Sequence, residues 1–311
     1  LNVDLIIRNV PHLPEWGQEV LGTDQILVSS GQAGYLAFAL SSLGVTTNLI
    51  GNVGKDLYGD QIIADLCRFG LDTSGVDTDP NHPTGIAVAI VRPDGERAFV
   101  TNLGSMAAFE KRHIEQRWSM LKESSLVALV GLFMLPGLGI EGAVDILSRA
   151  HGEGKVTMLD TGWDPDNWPD STIQGIRRLL QNVRLFLPNL DEATAITGET
   201  TVERALDQLE SMGPELVVIK CGAEGSYARI NKKTIHVEAR PVSVFDAVGA
   251  GDVFNAGLIT ALRWGWPIDA CMGFGNTASS LYISRSEDRF PKLERVLSTA
   301  RSTYSFIPDT Q

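Results

Sequence analysis

The stretch Asp246-Ala-Val-Gly-Ala-Gly-Asp252, followed at once by the apolar-periodic run Val253, Phe254, Ala256, Leu258, Ile259 and Leu262, decides how this chain of 311 residues is read. Glycines in a turn and then helical periodicity predict that a helix begins inside the quoted segment. The first amides of a helix lack partners within it and lie at the positive end of its dipole. The N–H groups of Gly249, Ala250 and Gly251 therefore form a cradle for an anion. Asp252, next in line, can take a proton from a hydroxyl held beside that anion. Phosphoryl transfer to an alcohol rests on positioning and charge stabilisation and needs both parts, so the segment points to a kinase for a small hydroxylated molecule. A plain helix N-terminus uses the same residue types, because the dipole favours aspartate in the first turn. The segment is neither a dinucleotide fingerprint, since the glycine after Gly251 is Gly257, nor a P-loop, since no Lys-Ser/Thr pair closes it.

Composition narrows the classes of partner. With 26 basic against 38 acidic residues the chain carries a formal charge of −12, which disfavours a nucleic-acid or anionic-membrane surface. Cys67, Cys221 and Cys271 are odd in number, far apart and without metal-ligand spacing, as expected of a reduced, cytoplasmic protein rather than of a disulfide framework. The longest apolar stretch, 126–140, is too short to span a membrane and is broken by Pro136, so it reads as a buried strand entering a loop. The chain opens without methionine in the apolar run Leu1-Asn-Val-Asp-Leu-Ile-Ile, which is consistent with a first strand that starts upstream.

Beyond residue 125, apolar strands alternate with amphipathic helices: 126–132, 141–150, 156–159, 173–180, 183–187, 190–197, 202–212 and 216–220. This alternation predicts βαβ units and an α/β fold with a mostly parallel central sheet covered by helices on both faces, its ligands at the carboxyl ends of the strands. Ahead of it stand a strand at 1–8, a strand-like segment at 19–29, a helix at 34–43 and a pair of strands, 86–92 and 97–101, joined by the turn Pro93-Asp94-Gly95. They predict a small β lid from about 12–30 and 84–102 on one domain covering 1–311.

The ordered set of motifs resembles the ribokinase-like (PfkB) family of carbohydrate and nucleoside kinases over nearly the whole length. Asn2-x-Asp4 resembles the family's strand-end pair, which implies that Asp4 binds acceptor hydroxyls. Ser30-Gly-Gln-Ala-Gly-Tyr-Leu-Ala37 is similar to its Gly-Gly-x-x-x-Asn-x-Ala signature, with Ser30 in place of the first glycine and Tyr35 in place of the asparagine. Gly31, Gln32 and Tyr35 thereby join the substrate candidates. Gly51-Asn-Val-Gly54-Lys-Asp56 with Gly59 matches a loop that closes near the substrate. Leu187-Pro-Asn189-Leu-Asp-Glu192 resembles the family's Asn-x-x-Glu motif, which implies Mg²⁺ held through water; in isolation it reads equally as a helix cap. Lys220, Gly222 and Gly225 resemble the strand and turn beside the nucleotide, and Asn276 a position flanking the adenine. Asp246 and Val248 are candidate ligands of a monovalent cation such as K⁺. Two departures weaken that last implication: Ala247 replaces a usual threonine, and Arg285-Ser-Glu-Asp288 stands where a shorter turn is usual.

The resemblance implies a three-layer α/β/α fold and transfer of the γ-phosphoryl group of ATP to a sugar hydroxyl, with Asp252 as base, in an enzyme that is a candidate homodimer through its lid. A nucleoside kinase, with Tyr35 stacked on a base, is the nearest alternative. A non-catalytic sugar or nucleotide sensor is another. A nicotinamide oxidoreductase is disfavoured because no glycine fingerprint follows the first strand.

Overall fold

The computed structural model describes residues 1–284 and 289–309. Its strands are β1 (Asn2–Arg8), β2 (Asp24–Ser30), β3 (Gly51–Gly54), β4 (Val76–Asp79), β5 (Gly85–Val91), β6 (Arg97–Asn102), β7 (Leu126–Val130), β8 (Val156–Asp160), β9 (Leu185–Phe186), β10 (Leu216–Lys220), β11 (Ser226–Ile230) and β12 (Lys233–Val237). The main sheet has the order β12-β11-β10-β9-β8-β7. Strands β7 to β10 are parallel, and β11 and β12 extend the sheet antiparallel at one side.

The runs Leu-Val-Ala-Leu-Val and Leu-Val-Val-Ile lack polar alternation because both faces of this sheet are covered. Leu216 and Val218 face one core with Val253, Leu258 and Phe274 from the helices Ala250–Arg263 and Ile268–Ser284. Val217 and Ile219 face a second core with Leu147, Leu179 and Leu206 from the helices Gly139–Gly152, Asp170–Leu180 and Val202–Ser211. Three layers result, helix on sheet on helix. The carboxyl rim of the sheet brings together chain segments far apart in sequence: Val130 pairs with Asp160, and Asn189 bridges Lys220.

A second sheet has the order β2-β1-β5-β6. Here β1 lies antiparallel to β2 and parallel to β5, with Asp4 opposite Val28 and Ala87. The strand expected at 1–8 is therefore an inner strand of this second sheet and not part of the main one. Of the segments expected in the lid, 24–30 and 85–102 supply its other strands, whereas 12–23 forms none. The hairpin between β5 and β6 turns at Gly95, whose φ of 90° suits glycine alone, with Arg92 and Glu96 bonded across it. Strands β3 and β4 form a separate parallel pair.

Candidate active site

The helix Ala250–Arg263 starts from Gly249, held at φ 84°. A Cβ at Gly249 would lie 2.8 Å from the Tyr35 ring, so glycine is required here by sterics as well as by backbone conformation. The first helical bond runs from the Val253 amide to the Gly249 carbonyl at 3.1 Å. The Ala250 amide turns back to Ala247 O at 3.2 Å, which corrects the expectation that it is open to a ligand. Among the described residues the amides of Gly249, Gly251 and Asp252 have no acceptor, so these N–H groups, and not that of Ala250, are open at the start of this helix.

Asp252 is buried, 6% exposed, and its Oδ1 has no hydrogen-bond partner among the described residues. Burial, reinforced by the negative charge of Asp160, pushes its carboxyl well above the ordinary carboxylate range, against the opposing pull of Lys220. Such a group is a far better proton acceptor than a solvated aspartate.

Beside it stands a buried polar cluster on the carboxyl rim of the sheet. Lys220, at the end of β10, places Nζ 2.5 Å from Oδ2 of Asp160, the last residue of β8. Asn255, in the helix after Asp252, donates to the same oxygen at 2.6 Å. Lys220 also faces the cradle, since a Cβ on Gly251 would lie 3.3 Å from its Nζ. Burial works against the ammonium, but Asp160 and Glu192 outweigh it and hold the lysine charged. Asn189 caps the helix Leu190–Thr197 and forms a reciprocal box with Glu192: the Glu192 amide donates to Asn189 Oδ1 at 2.8 Å, and the Asn189 amide donates to Glu192 Oε2 at 2.9 Å. Burial and the repulsion of Asp160 raise Glu192 to about 7. Asp160 and Asn255 were not anticipated from sequence. Their only signal there is a polar residue closing or interrupting an apolar run.

A second polar cluster adjoins the cradle through Tyr35. The Tyr35 hydroxyl donates to Asp4 Oδ2 at 2.8 Å, while Ser30 Oγ (2.6 Å) and Asn2 Nδ2 (2.8 Å) donate to Asp4 Oδ1. Burial raises the Asp4 carboxyl, against these donors. Arg289 donates to the Tyr35 hydroxyl at 3.1 Å and lies 5.2 Å from the centre of its ring. With Tyr282 and Phe290 also against it, Tyr35 has no exposed face on which a base could stack. Gly31 precedes the helix Gln32–Ser42 at φ 90° and touches Asn2. The Gln32 carboxamide lies between Gly131 and Gly162, the glycines that follow β7 and β8: a Cβ at either would come within 2.8 Å of its Oε1.

Other expected residues take structural places. Gly222 opens a short turn after β10. Gly225 lies so close to the strand β12 that a Cβ would come 2.1 Å from Val237 O. Asn276 directs Nδ2 to the carbonyls of Val237 (3.0 Å) and Glu238 (3.4 Å), tying down the segment after β12 and leaving no amide hydrogen for a base. Asp246 Oδ1 accepts from the Val248 amide at 2.9 Å, and the Val248 carbonyl accepts from Tyr282 at 2.7 Å. Residues 285–288 lie outside the described residues.

The family model described as pfkB family carbohydrate kinase matches residues 14–295. An uncharacterised sugar kinase of Archaeoglobus fulgidus is 28% identical over 251 residues, covering 79% of this chain and 94% of that protein. Arabidopsis thaliana ribokinase, solved with ribose and ATP, superposes with a TM-score of 0.80 at 23% identity, over 96% of each chain. A candidate ribokinase II of E. coli, solved with ATP and Mg²⁺, gives a TM-score of 0.80 at 22% identity over 97% of each chain. The shared architecture and the match over most of the sequence give one conclusion: this chain belongs to the pfkB family of carbohydrate kinases.

Proposed function

We propose that this carbohydrate kinase transfers the γ-phosphoryl group of ATP to a hydroxyl of a small sugar, with Asp252 as general base. The observation that carries the reading is the buried, unpartnered Oδ1 of Asp252 on a helix turn whose amides at Gly251 and Asp252 are also open. A hydroxyl placed against that oxygen gives up its proton as its oxygen bonds to the γ-phosphorus. The β–γ bridge bond breaks, ADP departs, and the proton on Asp252 passes to solvent. The two amides and Lys220 stabilise the charge on the moving phosphoryl group.

ATP and Mg²⁺ are carried over from the solved relatives, and the residues here suit both. Glu192, Asn189 and Asp160 offer the hard oxygen donors that Mg²⁺ takes directly or through water, and the ion when bound neutralises phosphate charge. Lys220 is the phosphate-facing cation. Asp4, Asn2, Gly31 and Gln32 form the acceptor end, with Tyr35 holding Asp4 from behind. Asp246 and the Val248 carbonyl are the site for K⁺, where the ion would share that carbonyl with Tyr282.

The sheet β2-β1-β5-β6 serves as the lid of a single domain and excludes water on closing. Its row Leu27, Leu5, Val88 and Val100 crosses all four strands, with Leu27 38% and Val100 68% exposed, which supports a homodimer through the lid. No helix among the described residues is long and apolar enough to cross a membrane, and the three cysteines are free, in keeping with a cytoplasmic setting.

Asp252→Asn tests the reading. The amide is nearly isosteric but cannot take the proton, so turnover should fall roughly 10²- to 10⁴-fold with nucleotide and sugar binding kept. Wild-type turnover with a stability loss of only about 0.3–1 kcal/mol would reduce Asp252 to a helix-dipole residue, whereas sugar and nucleotide binding by the unaltered protein without any turnover would favour the sensor reading.

A further inference from the structure

The segment Thr161-Gly-Trp-Asp-Pro-Asp-Asn-Trp-Pro169 leaves the carboxyl end of β8 for the helix Asp170–Leu180. No role assigned above uses its aromatic residues. Trp163 directly follows Gly162, the glycine that lies against the Gln32 carboxamide, and it is 47% exposed.

The loop is built to hold that indole in place. Trp168 is buried between two rings: Phe133, in the turn Leu132–Met134 after β7, lies 5.0 Å from it at 82°, and Trp163 lies 5.8 Å from it at 79°. An edge-to-face pair covers at most one face of the Trp163 indole. Asp164, itself buried, fixes the backbone. Its Oδ1 accepts from the Asp166 amide at 3.0 Å, its Oδ2 from the Trp168 amide at 3.2 Å, and its carbonyl from the Asn167 amide at 3.0 Å. Pinned in this way, Asn167 and Trp168 both take a left-handed backbone, with φ 57° and 58°, which disfavours side chains of their kind. Among the described residues the buried Nε1 of Trp168 also has no hydrogen-bond partner. Stability is thus given up twice in a loop that ends beside Gln32, and strain of this kind is kept where it places a functional group.

Given the acceptor end assigned above to Asp4, Asn2, Gly31 and Gln32, we propose that Trp163 determines acceptor specificity: its open indole face carries the C–H face of a sugar ring, and the acceptor is a neutral cyclic sugar. A sugar ring has a rim of hydroxyls and a face of C–H bonds. Asp4 and Gln32 suit the rim, and an indole suits the face. An open-chain polyol has no such face to offer. Charge follows from the same loop, since residues 161–170 include three aspartates and no lysine, arginine or histidine. A carboxylate or phosphate on the acceptor would meet repulsion there and find no partner. Of the cations at the site, Lys220 is paired with Asp160, and Arg289 donates to the Tyr35 hydroxyl.

The test measures turnover with MgATP in a coupled assay, and binding by calorimetry, for D-glucose, D-fructose, D-ribose, gluconate and sorbitol. The best of the three ring sugars should exceed gluconate and sorbitol in kcat/KM by about tenfold or more. Trp163→Ala should raise the KM and Kd of that sugar roughly tenfold, with the KM for ATP and the melting temperature unchanged. Trp163→Phe, which keeps a ring face, should recover most of the loss. A loop that serves folding alone would instead lower the melting temperature and move both KM values together. The proposal is overturned by an unchanged acceptor KM and Kd in Trp163→Ala, by an equal rise in both KM values, or by no recovery with phenylalanine. It is overturned as well if gluconate or sorbitol is the best acceptor, or if none of the three ring sugars binds. Binding of a ring sugar that weakens in Trp163→Ala, with no turnover by the wild type, would uphold the indole contact and set aside the kinase reading alone.

Discussion

Glu192 is a cap residue and a candidate metal-site residue at once, and its titration separates the two roles. Its folded-state value of about 7 lies above the ordinary 4.5, so the stability that it contributes is fully present below pH 4.5 and is lost as pH rises through 7. Glu192→Gln removes the titration while its amide oxygen can still accept from the Asn189 backbone. The stability of the wild type relative to this variant should therefore fall by on the order of 3 kcal/mol between pH 4.5 and 7, read by urea titration at several pH values. A difference that is flat with pH would mean that the carboxyl is not held neutral. In turnover assays the same variant should need more Mg²⁺ for half-maximal rate, because an amide holds a divalent ion's water shell less well. At this scale the sequence was legible where a residue acts through near neighbours: Asn189 and Glu192, three apart, form the box that their spacing implies. It was not legible where partners come from afar. Asp160 meets Lys220 60 positions on and Asn255 95 positions on, and nothing local in Met-Leu-Asp or Phe-Asn-Ala encodes those meetings.

Among elements, the start of the helix Ala250–Arg263 is the most constrained. Gly249→Ala meets two obstacles, a left-handed backbone and the Tyr35 ring, and should cost about 1–3 kcal/mol while moving the cradle amides. Thermal melts and kcat measured on one preparation would check it, with kcat falling more than the acceptor KM rises. Retention of both stability and kcat would show that the turn tolerates a side chain. The βαβ alternation after residue 125 was readable because each strand is a short apolar run and each helix an amphipathic one, so the period changes at every boundary. The allocation of β1 was not readable, because which sheet a strand joins is decided by partners at 24–30 and 85–91 rather than by its own pattern. Strand β9 shrinks to two residues, Leu185–Phe186, between longer neighbours, which the apolar run 183–187 did not foretell.

For the molecule as a whole, the apolar row across the four-stranded sheet is where the proposed dimer is tested. If the proposed lid dimer forms, light scattering should report the mass of two chains for the wild type and of one chain for Leu27→Lys with Val100→Lys, which places charges in an apolar row. An unchanged mass would exclude the lid as the dimer contact. The acceptor KM should rise with dissociation if each lid is steadied by its partner.

Gln32 and Gly162 are 130 positions apart, with Gly131 between them, yet the three share one small volume in which a carboxamide is clasped between two backbones. In the language of inheritance they form one locus. A methyl at either glycine evicts the same side chain, so the two lesions should look alike and should not compound. Each should be relieved by shortening residue 32, and variation at any one of the three positions is filtered by what stands at the other two.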